Sequence, residues 1–135
     1  MKKNATDGHL GALLRIELDF PPAELFPNRS RGKHWTATHT AKTNYRQTCA
    51  WLTTHQMEDW VPTTENIKLS ISFVMPDKRL RDTDNCLAAA KSGLDGMADA
   101  LGINDRQFQP VVVYRSYGQK PGKMVVDLCI NQLGT

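Results

Sequence analysis

Ile67-Lys68-Leu69-Ser70-Ile71-Ser72-Phe73-Val74-Met75-Pro76 runs directly into Asp77-Lys78-Arg79-Leu80-Arg81-Asp82-Thr83-Asp84-Asn85. In the first half, Ile67, Leu69, Ile71, Phe73 and Met75 fall on one side of an extended chain, with Lys68, Ser70 and Ser72 on the other. Alternation of this length predicts a half-buried strand, and Pro76 ends it because proline brings no N–H to a ladder. The second half places Lys78, Arg79 and Arg81 just before two carboxylates, Asp82 and Asp84. Basic groups attract phosphate, whereas clustered carboxylates repel it. The two belong side by side if a divalent cation sits between the acids and a phosphodiester, so the segment points to metal-dependent cleavage of a nucleic acid.

A helix is predicted over 84–101. Leu87, Leu94 and Leu101, joined by Ala90, Met97 and Ala98, form its apolar stripe. Thr83 or Asp84 suits its start, and Gly102 suits its end. Helical spacing puts Asp84, Ala88, Lys91 and Asp95 on one polar face. Asp95 and Asp99 are like charges four apart, an arrangement that a purely structural helix disfavours.

A third carboxylate, Asp105, follows the helix. Two residues apart in an extended segment, Asp82 and Asp84 would face one ion. The helix between Asp84 and Asp105 is ~27 Å long. Asp105 therefore joins them only if the chain path or a neighbouring subunit brings it back. In one chain, the third strand would have to enter the sheet near the end where the second strand finished. Lys91 either orients the carboxylates and contacts the scissile phosphate, or forms a surface ion pair with Asp95.

Upstream, Leu14, Ile16, Leu18 and Phe20 alternate with Arg15, Glu17 and Asp19, predicting a strand that Pro21-Pro22 ends. Residues 22–37 read as an irregular connection. No acidic residue occurs between Glu24 and Glu58, a window holding Arg29, Arg31, Lys33, Lys42 and Arg46 with His34, His39 and His55. Arg29, Arg31, Lys33 and His34 form a candidate DNA-backbone clamp, the alternative being a solvated loop. A helix follows over about 38–58, with Ala41, Tyr45, Cys49 and Leu52 as its buried stripe and Thr36 or Thr38 as its cap. Trp51 and Trp60 read as packing residues, and Trp35, among the cations, as the tryptophan placed to touch DNA.

Downstream, Val111–Tyr117 and Met124–Asn131 read as strands, and Gly118-Gln119-Lys120-Pro121-Gly122 as a hairpin turn between them. The order is β-α-β-α-β-β. The expected fold is α/β (α+β), one domain with a small mixed sheet of about four strands and two main helices. Residues 1–11 read as a flexible tail and 12–135 as the domain.

Composition sets limits on class. The 135 residues, 40% hydrophobic and 23% charged, suit one globular domain with its own core. Net charge is +3, so the local basic runs say more about partners than the total does. Cys49, Cys86 and Cys129 are odd in number and widely spaced, which argues against a disulfide framework or a zinc site and fits a reducing cytoplasm. The expectation is a cytoplasmic protein with no signal peptide and no membrane span.

The segment M-P-D-K-R-L-R-D-T-D-N, with Lys91, Asp95 and then N-D-R-Q, resembles the RusA family of Holliday junction resolvases. The resemblance runs from the first strand through the R-G-K-H-W loop to the last two strands. It implies a Mg²⁺-dependent homodimeric endonuclease, often phage- or prophage-borne, that nicks four-way DNA junctions symmetrically, with Mn²⁺ as a possible substitute for Mg²⁺. Carried over by position, the family's metal-binding acids fall on Asp82, Asp84 and Asp105, and its functional lysine on Lys91. Lys78, Arg79 and Arg81 join the basic loop as expected DNA contacts. Where the family commonly has two adjacent acids, this chain has Asn104-Asp105. Two other readings stand beside the resolvase: a non-catalytic nucleic-acid-binding module, and a metal nuclease acting on another branched DNA.

Overall fold

The computed structural model describes residues 13–27 and 35–130. The tail 1–11 and the clamp residues Arg29, Arg31, Lys33 and His34 lie outside the described residues. Strands β1 (Leu13–Leu18), β2 (Ile67–Met75), β3 (Phe108–Tyr117) and β4 (Lys123–Cys129) form one mixed sheet. Helices α1 (Trp35–Thr54) and α2 (Thr83–Leu101) pack on it, and 3-10 turns occupy Ala23–Leu25 and Asp105–Gln107.

The alternating strand patterns hold. Ile67, Leu69, Ile71, Phe73 and Met75 of β2 are buried, as are Ile16 and Leu18 of β1 and Met124, Val126 and Leu128 of β4. They meet Tyr45 and Cys49 of α1 and Ala90, Leu94, Met97 and Leu101 of α2 in one core. Burial of the Cys49 thiol pushes its pKa up to about 12, so it is an inert packing group. The helices approach closely because α2 carries glycine at the contact: a Cβ on Gly96 would strike the Arg46 carbonyl oxygen, and one on Gly93 the Tyr45 ring.

The sheet order is β1-β4-β2-β3. β3 runs parallel to β2, and β4 lies antiparallel between β1 and β2. The segment 118–122 is therefore not a hairpin turn: β3 and β4 are never neighbours, and the connection carries the chain across the end of β2. The central place goes to β4 because it buries an apolar row, whereas most of β3 is exposed, and edge position tolerates its Pro110.

Helix α1 begins and ends earlier than its sequence suggests. Thr36 and Thr38 lie inside its first turns rather than capping them. Its end follows from Gln56, whose amide donates to the carbonyls of Glu17 and Leu52 while its oxygen accepts the Glu17 N–H. Gln56 thereby acts as a substitute ladder partner for β1, and the positive φ of Glu58 completes the break. Trp60 packs on the core and donates its indole N–H to the Leu101 carbonyl at 2.9 Å. Trp51 does not pack inward; it is 61% exposed, its ring 4.2 Å from that of His55.

Candidate nuclease site

The crossover β2-α2-β3 fixes the geography. Because β2 and β3 are parallel, α2 starts at their carboxyl ends and finishes at their amino ends. Carboxyl ends of parallel strands, beside helix N-termini, are where such sheets collect charged ligands.

The start of α2 holds Asp82 and Asp84. Asp82 is the extended N-cap residue, yet its carboxylate makes no capping hydrogen bond. Asp84 lies in the first turn and accepts the Asn85 N–H at 3.0 Å. Both are exposed and stand in the positive end of the helix dipole. They do not both lie in an extended segment, as the sequence suggested, because the helix begins at Thr83 between them.

The preceding turn is cross-braced by side chains. Arg81 bonds both oxygens of Asp77, at 2.9 and 3.3 Å, and the Arg79 N–H donates to Asp77. The guanidinium lies 5.4 Å from the Phe20 ring centre and 5.9 Å from that of Phe26, with a side chain only 13% exposed. Arg81 therefore organises the turn and is not an exposed phosphate contact. Lys78 and Arg79 remain on the surface. The hydrogen bond from Arg81, then that from the Arg79 N–H, lowers the Asp77 pKa to about 2. A carboxyl depressed on folding adds stability above the ordinary value of ~4, and that stability fades as pH falls through about 2. Asp77→Asn should accordingly lower the melting temperature at neutral pH, with the difference from wild type shrinking between about pH 4 and pH 2. A difference independent of pH would show that the carboxylate's charge is not what matters.

Asp105 occupies the other end of the crossover. It opens the 3-10 turn, which Asn104 and Gln107 fasten with a reciprocal capping box. Gln107 also ties the turn to the carbonyls of Thr63 and Glu65, just before β2. Lys91 Nζ bonds Asp95 at 2.7 Å and Asp105 at 2.8 Å. Lys91 thus makes the ion pair with Asp95 and adds a second with Asp105. The Asp105 bond, then the Asp95 bond, raises the Lys91 pKa, and the same contact lowers that of Asp105. Asp99 takes Arg46 at 2.8 Å, so each member of the Asp95–Asp99 pair has its own cation.

Sharing one ammonium places Asp105 level with Asp95, roughly 16 Å along α2 from Asp84. Asp105 therefore does not meet Asp82 and Asp84 within one chain. Among the described residues, no three His, Cys, Asp or Glu side chains come together as a metal-holding group.

Sequence reading missed Arg115, whose guanidinium donates to the Arg81 carbonyl at 2.6 Å. Arg115 pairs with Phe73 in the sheet register and follows Val111 and Val113 at alternate positions, but it and Val111 are exposed. A cation breaking an apolar row was the available signal. Trp35 opens α1, 71% exposed, its ring 5.9 Å from that of His39. No helix among the described residues is long and apolar enough to cross a membrane.

An uncharacterized protein of Xylella fastidiosa (strain Temecula1 / ATCC 700964) is 32% identical over 117 residues, covering 84% of this chain and 74% of that protein. The family described as Endodeoxyribonuclease RusA matches residues 20–128, a span that takes in Asp82, Asp84, Lys91 and Asp105. This chain belongs to the RusA endodeoxyribonuclease family.

Proposed function

We propose that the protein is a cytoplasmic, divalent-metal-dependent endodeoxyribonuclease that resolves four-way DNA junctions by paired symmetric nicks, acting as a homodimer. The observation that carries this reading is the pair of exposed carboxylates at the N-terminus of α2, at the carboxyl ends of β2 and β3, beside exposed Lys78 and Arg79.

The donor set fits a hard cation. Carboxylate oxygens suit Mg²⁺ or Mn²⁺, and Mg²⁺ commonly takes one or two carboxylates, completing its shell with waters and substrate phosphate. Asp82 and Asp84 would hold it. When bound, the ion supplies charge stabilisation and an activated water for in-line displacement at phosphorus. The chain itself holds the two carboxylates at the start of α2, sets the helix dipole behind them, and draws the backbone in through Lys78 and Arg79.

Asp105 joins the site as a residue of the second subunit. Within one chain Lys91 holds it roughly 16 Å along α2 from Asp84, so a two-fold partner is the route to Asp82 and Asp84. There Asp105 would leave its bond to Lys91, and the ammonium, still paired with Asp95, would turn toward the scissile phosphate. A two-fold dimer then presents one complete site to each of two symmetry-related strands of a junction.

The direct test compares a four-way junction, a flap and a linear duplex, with Mg²⁺, Mn²⁺ and EDTA. Paired nicks in the junction alone, lost in EDTA, are expected. Preferential cutting of the flap would favour a nuclease for another branched DNA; tight binding with no cutting in either metal would leave a non-catalytic binding module. Lys78→Ala and Arg79→Ala should each weaken junction binding and reduce the slope of log K against log salt by about 1. An unchanged slope would remove them from the DNA interface.

A further inference from the structure

Reaching away from Asp82 and Arg79 lies a cavity of about 280 Å³, most of whose lining the cleavage chemistry does not use. The rings of Phe20 and Phe26 line it, stacked at 5.8 Å and 21°. Arg81 is laid against both rings and fixed in the plane set by Asp77. Pro76 adds a further flat apolar surface, Asp82 and Asn85 bring polar groups to the lining, and Ala23 is its exposed small residue.

We propose that this cavity receives a single unpaired nucleobase from the DNA strand whose phosphate lies at Asp82 and Asp84. This rests on the nuclease reading and deepens it by adding a base subsite. The volume lies just below the range of drug-sized ligand pockets, which suits one planar heterocycle and excludes a base pair. Aromatic rings and a guanidinium plane are the surfaces on which extruded bases stack, and an amide beside an acid offers both donor and acceptor to a base edge. An aliphatic peptide side chain would gain nothing from the carboxylate and the amide. Asp82 belongs to both places, so a nucleotide with its phosphate at the acids has its base within reach of the cavity. Bases next to a branch point are the ones most cheaply unpaired, so the subsite would help to select branched DNA over duplex.

The test measures binding in EDTA, so that it does not depend on cutting. A junction in which each base flanking the branch is replaced in turn by an abasic sugar is titrated with wild type, with Ala23→Leu, which narrows the cavity from its exposed side, and with Phe26→Leu, which keeps an apolar side chain but removes a ring. For wild type, one abasic position should cost about tenfold or more in affinity. Each variant should bind the intact junction about that much more weakly and lose nothing further at that position. Equal affinity of wild type for every abasic junction, or full additivity of protein and DNA changes, overturns the subsite. Absence of nicking in metal, with the abasic effect intact, would sink the nuclease reading and leave the base pocket standing.

Discussion

Asp82→Asn and Asp84→Asn should each lower junction nicking by ~10³-fold or more, the several kcal/mol that a metal ligand set contributes at a developing phosphorane. Junction affinity in EDTA should hold or rise. Both carboxylates are exposed, neither is committed to an ion pair among the described residues, and each repels phosphate when no cation is present. Folding should be little changed, because Asp82 makes no capping hydrogen bond and Asp84 bonds only the next N–H. Nicking assays and gel-shift titrations on the same preparations separate the two effects. Variants that still cut at near wild-type rate would remove these acids from the chemistry. Binding lost along with the melting transition would make them structural.

The second large effect concerns who supplies the third acid. Asp105→Asn alone should also abolish nicking. Its cost to stability should be small, since the Lys91–Asp105 bridge is exposed and Asp95 remains to hold the ammonium. The informative protein is the heterodimer of an Asp105→Asn subunit with an Asp82→Asn subunit, purified through two different tags. If the acids combine across the two-fold axis, one of its sites contains both lesions and the other contains neither. Such a heterodimer should nick one strand of a junction at about half the wild-type number of sites, while both parent homodimers stay inactive. If the acids act within one chain, each subunit carries a lesion and the heterodimer is as dead as its parents. Rescue or its absence therefore decides between subunit-shared and single-chain sites without a structure of the complex.

The parts of the fold that local chemistry controls could be read from the chain. Ile67 to Met75 alternates over nine residues and forms a strand of those bounds. The apolar stripe from Leu87 to Leu101 gives a helix, and Gly102 ends it in the left-handed conformation, with φ 70°. The run Lys78 to Asp84 drew the eye to the start of α2 because it sets two carboxylates beside exposed positive charge. Less legible were features set by partners distant in sequence. Arg81 looks like one more phosphate contact until Asp77, Phe20 and Phe26 are seen to hold it. Trp51 looks like core, but it lies off the buried line of Tyr45 and Cys49. Gln56 ends α1 through Glu17 of β1, 39 positions earlier in the chain.

The sequence by itself determined the order of strands and helices, the buried faces of β1, β2 and α2, and that Asp82 and Asp84 stand at a strand-to-helix passage next to positive charge. These follow from periodicity and capping, which are properties of neighbouring residues. Only the tertiary structure decided that β3 pairs parallel to β2, with β4 inserted on β2's other side. Strand direction depends on which apolar row a distant strand completes, and no local signal encodes that. The consequence falls on Asp105: an antiparallel β3 would have started beside Asp82, whereas the parallel one starts a helix-length away and leaves Asp105 on Lys91.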